Sequence, residues 1–219
     1  MNWPPNPRLQ RTEPRAAAEL EPCGRLLNST VRRGYRVGKD MQIDETVSIV
    51  GYDPEWPSLF EKERAILIKA LGDRISDLQH VGSTAVGGLS SKSVIDILAG
   101  LHSYPANSQV IEKLERVGYE YLGEAGVMGR QYLRKRSVES YNLHLVEEGS
   151  DHWEKNVLLR DYLRANSEEA MRYARHKEEL MKKGVKTLLE YSDQKAKMMG
   201  EMIERAIKWR RKVTEWPYP

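Results

Sequence analysis

The chain has 219 residues, of which 40% are hydrophobic and 31% are charged. This length predicts one domain with a core and excludes two full domains. The formal net charge is only +3, so the composition gives no general case for nucleic-acid binding. No apolar run reaches the roughly 18 residues of a membrane span, and no signal-peptide core is present. We therefore expect a soluble, cytoplasmic protein with no membrane partner.

Residues 1–45 predict a disordered or poorly ordered N-terminal extension. Five of the ten prolines lie within residues 1–22, and no sustained apolar periodicity follows before about residue 45. Such a segment cannot offset the entropy that it would lose on ordering. The alternative is a docking arm anchored by Trp3 and Tyr35. Cys23, the single cysteine, excludes an internal disulfide.

The pattern changes at residue 47 and predicts one domain over residues 46–212. A short strand or extended entry at 47–50 and a turn at 52–57 precede a helix at 58–71, whose apolar residues recur at helical spacing before Gly72. Six elements then alternate with turns, namely strands at 78–81 and 94–99, a helix at 110–117, and strands at 119–123, 131–135 and 141–146. Helices follow at about 151–165, 167–183 and 185–210.

The predicted class is therefore α+β or α/β, with a small mixed sheet flanked by helices. The sheet core extends to about residue 148, and a helical C-terminal part covers about 150–210.

The strongest functional signal is a Gly-Ser turn that precedes a carboxylate within an apolar strand. Gly82, Ser83 and Thr84 offer backbone N–H groups and hydroxyls, which suit phosphate oxygens. Asp96 lies within Val-Ile-Asp-Ile-Leu, where a lone buried charge would be costly, so it should face a polar cleft or a cation. Lys92, four residues earlier, is a candidate ligand for a substrate phosphate. Together these residues predict half of a nucleotide site.

Several segments resemble the GrpB family of uncharacterised proteins, also designated UPF0157. The likeness extends from about residue 47 to 208. It is carried by YDPEW at 52–56, HVGSTAV at 80–86, KSVIDI at 92–97, NLHL at 142–145, RDYLR at 160–164, and the pairs Tyr173/Lys177 and Tyr191/Lys195. The family is similar to the nucleotidyltransferase superfamily, which shares a Gly-Ser turn, an Asp-x-Asp on the next strand and a third acid on a later strand.

The resemblance implies a nucleotidyltransferase-like fold and assigns roles to individual residues. Gly82 and Ser83 match the phosphate-binding turn, and Asp96 matches the first metal-binding acid. Leu98 occupies the position of the second acid, and His144 is the polar candidate on the strand of the third. Asp96 and His144 are thus the predicted catalytic and metal-binding pair, for Mg²⁺ or Mn²⁺.

Two functions follow from this resemblance. The first is nucleotidyl or phosphoryl transfer with an incomplete set of acids. The alternative is a catalytically degenerate module that binds a nucleotide, another phosphate-bearing ligand or a partner. Leu98 is the residue that favours the alternative. Neither the reaction nor the oligomeric state follows from the sequence.

A group of cations surrounds the predicted strand at 131–135. Arg130 precedes it, and strand alternation sends Arg134 and Arg136 to one face and Lys135 to the other. This face predicts binding of a triphosphate or an anionic acceptor. A charged edge strand, protected against pairing with another chain, explains the same pattern.

Further cations lie on the C-terminal helices. Arg160 and Arg164 share a helix face and predict a phosphate fork, although an ordinary surface ion-pair network has the same spacing. Lys177 lies four residues after Tyr173, as Lys195 does after Tyr191, which places each ammonium near a ring. Lys177 is therefore a candidate substrate ligand, and helix-surface packing is the alternative. The basic segment at 208–212 makes nucleic-acid binding a minor possibility.

Overall fold

The computed structural model describes residues 44–214. The extension predicted for residues 1–45, with Trp3, Cys23 and Tyr35, lies outside the described residues apart from Asp44 and Glu45. Within the described part, no helix has both the length and the apolarity needed to cross a bilayer.

Five α-helices are present in the described residues: α1 Trp56–Leu71, α2 Ser108–Arg116, α3 Asp151–Ala165, α4 Ser167–Lys182 and α5 Leu188–Thr214. Pro57 fits the first turn of α1, where its missing N–H has no helical partner. The Asn107 and Ser150 side chains accept hydrogen bonds from Val110 N and Trp153 N and cap α2 and α3.

Five strands form one mixed sheet: β1 Ile75–Val81, β2 Ile95–Leu101, β3 Glu120–Tyr121, β4 Gln131–Arg136 and β5 Ser140–Glu147. Their spatial order is β1-β2-β5-β4-β3, with β2 and β5 parallel and the other pairs antiparallel. The predicted class, a small mixed sheet flanked by helices with a helical C-terminal part, is confirmed.

Two predicted segments contribute less to the sheet than full strands would. Residues 47–50, predicted as a short strand or an extended entry, form no strand, and only isolated bridges join Thr46 to Thr187 and Val50 to Ser91. The strand predicted at 119–123 is reduced to the two residues of β3. Leu122 and Gly123 still form backbone hydrogen bonds with Tyr132, and the chain then enters a loop with several positive-φ residues.

The two faces of the sheet have different chemistry. Ile95, Ile97 and Ala99 of β2 point toward α1 and α2 and join the main core. On the opposite face, Leu98 packs with Val81, Val146 and Trp153, so α3 covers that part of the sheet. Alternation therefore places Asp96, two residues before Leu98, on the face that α3 shares. Helices α4 and α5 pack against α3 in a second core around Leu163, Tyr173 and Met202.

Candidate functional site

Strand register collects the polar side chains of the sheet on one face. Asp96 is aligned with Asn142, which is aligned with Arg134 on the next strand. His144 is aligned with Tyr132 in the same way. Since aligned residues of neighbouring strands point to the same side, these five side chains share the face of Asp96. The two residues predicted as the catalytic pair are thus brought together.

Asp96 is held by three groups that contribute positive charge or N–H bonds. Its Oδ1 atom lies 3.2 Å from Lys92 Nζ, and it accepts a hydrogen bond of 2.6 Å from Asn142 Nδ2. His144 Nε2 lies 3.8 Å from the same oxygen. Burial alone would raise the pKa of Asp96, but Lys92, His144 and Asn142 together hold that pKa well below its usual value. Asp96 is therefore an ionised carboxylate paired with Lys92.

Gly82 allows the turn to touch this carboxylate. Its φ is +73°, and a Cβ at this position would lie 2.6 Å from Asp96 Oδ2. Gly82 is exposed on its other side and Ser83 is half-buried. Thr84 is buried, with Oγ1 2.9 Å from His80 Nε2. Gly82 and Ser83 are thus open to a ligand, whereas Thr84 stabilises the turn from within.

The turn itself is a single 3-10 turn over Ser83–Ala85. A helix of this length contributes no appreciable macrodipole. Binding of an anion here would depend on the hydroxyl of Ser83 and on nearby cations.

Lys177 lies directly behind Ser83. Its side chain is 1% exposed, and Nζ lies 3.0 Å from Ser83 Oγ and donates to the Ser90 carbonyl. Nζ is also 4.4 Å from the centre of the Tyr173 ring. The predicted packing of Lys177 against Tyr173 is confirmed, and both side chains are buried rather than at the helix surface. Burial, with a smaller effect of Lys195, lowers the pKa of Lys177 to about 7.

Lys195 adds a third amine to this region. Its Nζ is 5.1 Å from the centre of the Tyr191 ring, and its charge lowers the pKa of both Lys92 and Lys177. Within residues 44–214, neither Lys177 nor Lys195 has a carboxylate at ion-pair distance, and only Asp96 pairs with Lys92. The region thus holds the Lys92–Asp96 ion pair and two further amines that, within the described residues, have no carboxylate at ion-pair distance.

Arg130 determines the tautomer of His144. The guanidinium Nη1 lies 3.0 Å from His144 Nδ1. Because arginine only donates, Nδ1 accepts, and the proton of the neutral ring lies on Nε2, which faces Asp96. Burial, followed by the charge of Arg130, outweighs Asp96 and lowers the pKa of His144 to about 4. Arg130 also donates to the Glu124 and Ala125 carbonyls.

This arrangement does not fit the predicted Mg²⁺ or Mn²⁺ at Asp96 and His144. The Nε2 atom carries a proton and has no lone pair to offer a metal. Asp96 Oδ1 already faces the ammonium of Lys92, whose charge would repel a divalent cation. The described residues contain no group of three or more His, Cys, Asp or Glu side chains that could hold a metal. The position of the second acid is the buried Leu98.

The remaining cations of the sheet are paired with carboxylates. Arg134 contacts Glu120 at 2.6 Å, and Arg136 contacts Glu45 at 2.7 Å on the same face. Lys135 contacts the buried Glu63 at 3.0 Å on the other face, as the predicted alternation requires. The edge-strand alternative is wrong at Leu133 and Arg134, because β4 pairs there with β3 as well as with β5.

Arg160 and Arg164 support the turn from behind. Arg160 is buried and donates to Gln79 Oε1 at 2.5 Å, to the His80 carbonyl at 3.2 Å and to Asp161. Arg164 Nε donates to the Ala85 carbonyl at 2.9 Å. Both guanidiniums thus bind the chain on either side of Gly82 and Ser83. A phosphate bound by the predicted fork would have to accept from the N–H groups of Arg160 and Arg164 that do not form these hydrogen bonds.

A separate groove lies between α4 and α5. It has a volume of about 530 Å³ and is lined by charged side chains that include Arg172, Arg175, Lys197 and Glu201. None of the predicted site residues lines it. The site around Asp96 is thus a charged surface of the sheet and turn, distinct from this groove.

Two contributors to the site were missed from the sequence. Asn142 donates to Asp96, and strand alternation with His144 could have identified it. Lys195 was noted only for its contact with Tyr191, and its approach to Lys92 depends on the packing of α5, which no local pattern reveals.

Comparison with known proteins identifies several relatives. UPF0157 protein BH1888 of Halalkalibacterium halodurans is 31% identical over 170 residues, covering 78% of this chain and 87% of the relative. UPF0157 protein YqkA of Bacillus subtilis is 31% identical over 166 residues, and the match spans only 48% of that protein.

One solved structure of a GrpB protein is similar over most of its length. The conserved protein GrpB from Enterococcus faecalis matches with a TM-score of 0.69 and 28% identity, over 74% of this chain and 99% of that one. The Cid1 poly(U) polymerase matches only weakly, with a TM-score of 0.38 and 18% identity over 54% of this chain. The family model described as GrpB protein matches residues 46–205. The family model and the relatives both match most of the length of this chain, which therefore belongs to the GrpB family.

Proposed function

We propose that the chain binds a phosphate-bearing small molecule, such as a nucleotide, at Gly82 and Ser83 without a divalent metal. The observation that carries this proposal is the Lys92–Asp96 ion pair of 3.2 Å. The ammonium of Lys92 neutralises the carboxylate that would otherwise need a metal ion. The ligand class is thus the one predicted from the sequence, and the side chain of Lys92 takes the place of the predicted metal ion.

The balance of charges favours an anionic ligand. The charge of Lys195 lowers the pKa of Lys92, and Lys195 has no carboxylate at ion-pair distance within residues 44–214. An anion about 4 Å from one ammonium gains about 4 kcal/mol at an effective dielectric constant of about 20, before the cost of its own desolvation. A doubly charged phosphate group would relieve the repulsion between the two amines.

The shape of the turn supports the same ligand. Gly82 is exposed and has no side chain, so a ligand atom can approach the backbone closely. Ser83 offers its hydroxyl beside it. Arg130, whose guanidinium pairs with His144 and backbone carbonyls, adds positive charge on the neighbouring part of the face.

Thermal unfolding and calorimetry test the proposal. Pyrophosphate and ATP are added to the full chain in EDTA and, in parallel, with Mg²⁺. We expect binding in EDTA, with about 2.7 kcal/mol of stabilisation when the ligand is at 100 times its Kd. Binding that requires Mg²⁺ would contradict the proposal and favour metal-dependent nucleotidyl transfer instead. No binding under either condition would also refute it.

A pair of lysines on α5 provides a matched control. Lys195 is partly buried at the site, whereas Lys197 is exposed two residues further on and lines the separate groove. We expect Lys195→Met to weaken pyrophosphate binding about tenfold, which corresponds to about 1.4 kcal/mol. Lys197→Met should bind as the unchanged protein does. Equal effects of the two substitutions would indicate only a general attraction by the net charge.

A further inference from the structure

Ser83 and Lys177 have a geometry that phosphate binding alone does not require. The Nζ atom of Lys177 lies 3.0 Å from Ser83 Oγ, within hydrogen-bond distance. Lys177 is 1% exposed, whereas Ser83 is half-buried next to the exposed Gly82. The half-buried hydroxyl of Ser83 thus contacts the amine of Lys177, which solvent does not reach.

The surroundings of Lys177 provide a partner for each hydrogen of a neutral amine. One N–H donates to the Ser90 carbonyl, and another can point to the Tyr173 ring, whose centre lies 4.4 Å away. The lone pair is then left for the hydroxyl hydrogen of Ser83. A neutral lysine in this position is oriented to accept a proton from that hydroxyl.

We infer that Ser83 and Lys177 form a nucleophile and base pair for acyl transfer, acting on esters or thioesters of a carrier that bears an anionic group. Serine and lysine form such pairs on unrelated folds, and the chemistry needs no metal. The inference goes beyond ligand binding. The anionic group of the carrier rests on the proposed function, whereas the proton transfer between Ser83 and Lys177 needs no bound phosphate, and Lys195 affects the pair only by lowering the pKa of Lys177.

The reaction proceeds in two balanced steps. Ser83 Oγ bonds to the acyl carbon while its proton moves to Lys177 Nζ, and the carrier oxygen or sulfur then leaves with that proton. Water next attacks the acyl-serine, gives a proton to Lys177, and releases the carboxylic acid as Ser83 regains its hydrogen. Water and the ester are the only reactants.

Some of the groups around Lys177 lower its pKa and others raise it. Burial and the charge of Lys195 lower its pKa to about 7, whereas Glu178 and Asp96 raise it. The phenols of Tyr173 and Tyr191 lie on the same side, and burial raises the pKa of Tyr191 so that it stays neutral. A large fraction of Lys177 is therefore an amine at neutral pH.

Labelling with a fluorophosphonate tests the pair in the full chain. The reagent forms an Oγ–P bond, loses fluoride and passes the serine proton to Lys177. We expect one adduct per chain, located at Ser83 by peptide mass spectrometry. Its rate should rise about tenfold per pH unit below pH 7 and level off above it. p-Nitrophenyl acetate should give a burst of nitrophenol with the same pH profile.

Three variants separate catalysis from structure. Ser83→Ala should remove the adduct, while Ser192→Ala, at an exposed serine of α5, should leave the rate unchanged. Lys177→Arg keeps a cation and donor but cannot accept the proton, so labelling should fall at least 100-fold with the urea midpoint monitored in parallel. If that variant fails to fold, the dependence of the Ser83 labelling rate on pH in the unchanged protein still tests whether Lys177 is the base. Labelling of Ser83 no faster than of Ser192, or independent of pH between 6 and 9, would overturn the inference, and pyrophosphate binding measured separately would stand.

Discussion

Replacing Lys92 by Met removes the ammonium that pairs with Asp96 while keeping most of the apolar stem. Both side chains are largely buried, at 16% and 17% exposed, and the charged atoms are 3.2 Å apart. At an effective dielectric constant of about 20, their attraction is about 5 kcal/mol, part of which only offsets desolvation. Since removal of one partner leaves the other charge buried, we expect Lys92→Met to lower the free energy of unfolding by about 3–5 kcal/mol.

A double-mutant cycle with Asp96→Asn isolates the pair. Asparagine can still accept the bond from Asn142, and the double variant has no buried charge at either position. Urea denaturation of the four proteins in EDTA should therefore give a coupling of at least about 2 kcal/mol, with the double variant more stable than the sum of the two losses predicts. Single effects that add within about 0.5 kcal/mol would refute the ion pair. Rescue of Lys92→Met by Mg²⁺ would restore the metal interpretation.

Three further predictions concern the turn, the second acid position and the histidines. Gly82→Ala should cost at least about 1–2 kcal/mol, because its φ is positive and its new Cβ would meet Asp96, whereas Gly87→Ala meets no atom within 4 Å and should change urea stability by less than about 1 kcal/mol. Leu98→Asp should lose more than the roughly 2–5 kcal/mol expected of Leu98→Ala, with no recovery in Mg²⁺, because it buries a carboxylate among apolar side chains. Burial lowers the pKa of three histidines to about 4: His80, His144 and His152. Between pH 6.5 and 4 the unfolded chain therefore binds more protons, and the free energy of unfolding should fall as the pH falls, whereas a flat denaturation profile there would contradict these shifts.

Local patterns were sufficient for most elements of the fold. The helical spacing of apolar residues before Gly72 predicted α1 to within two residues at its start, and Pro57 accounts for that difference. The apolar residues at 47–50 left a short strand and an extended entry both open, and in the structure this segment forms only isolated bridges and no strand. Pairing between distant strands, which decides such cases, leaves no mark on a short window of sequence.

Most residues of the site could be predicted from the sequence, whereas the contacts between their side chains could not. The cost of burying a lone charge placed Asp96 in a polar setting, and the i, i+4 spacing placed Lys177 near Tyr173. The sequence could not show that Lys92 would occupy the position next to Asp96, or that Arg130 would fix the proton of His144. Both depend on side chains from different strands and loops meeting at the surface of the sheet.

A crystal of the full chain grown with tripolyphosphate and Mn²⁺ tests the central claim most directly, since Mn²⁺ is located by its anomalous scattering. We predict phosphate density against Gly82 and Ser83 within reach of Lys92 and Lys195, with no anomalous peak at Asp96. An Mn²⁺ peak bound by Asp96 and His144, with Lys92 displaced from the carboxylate, would contradict it.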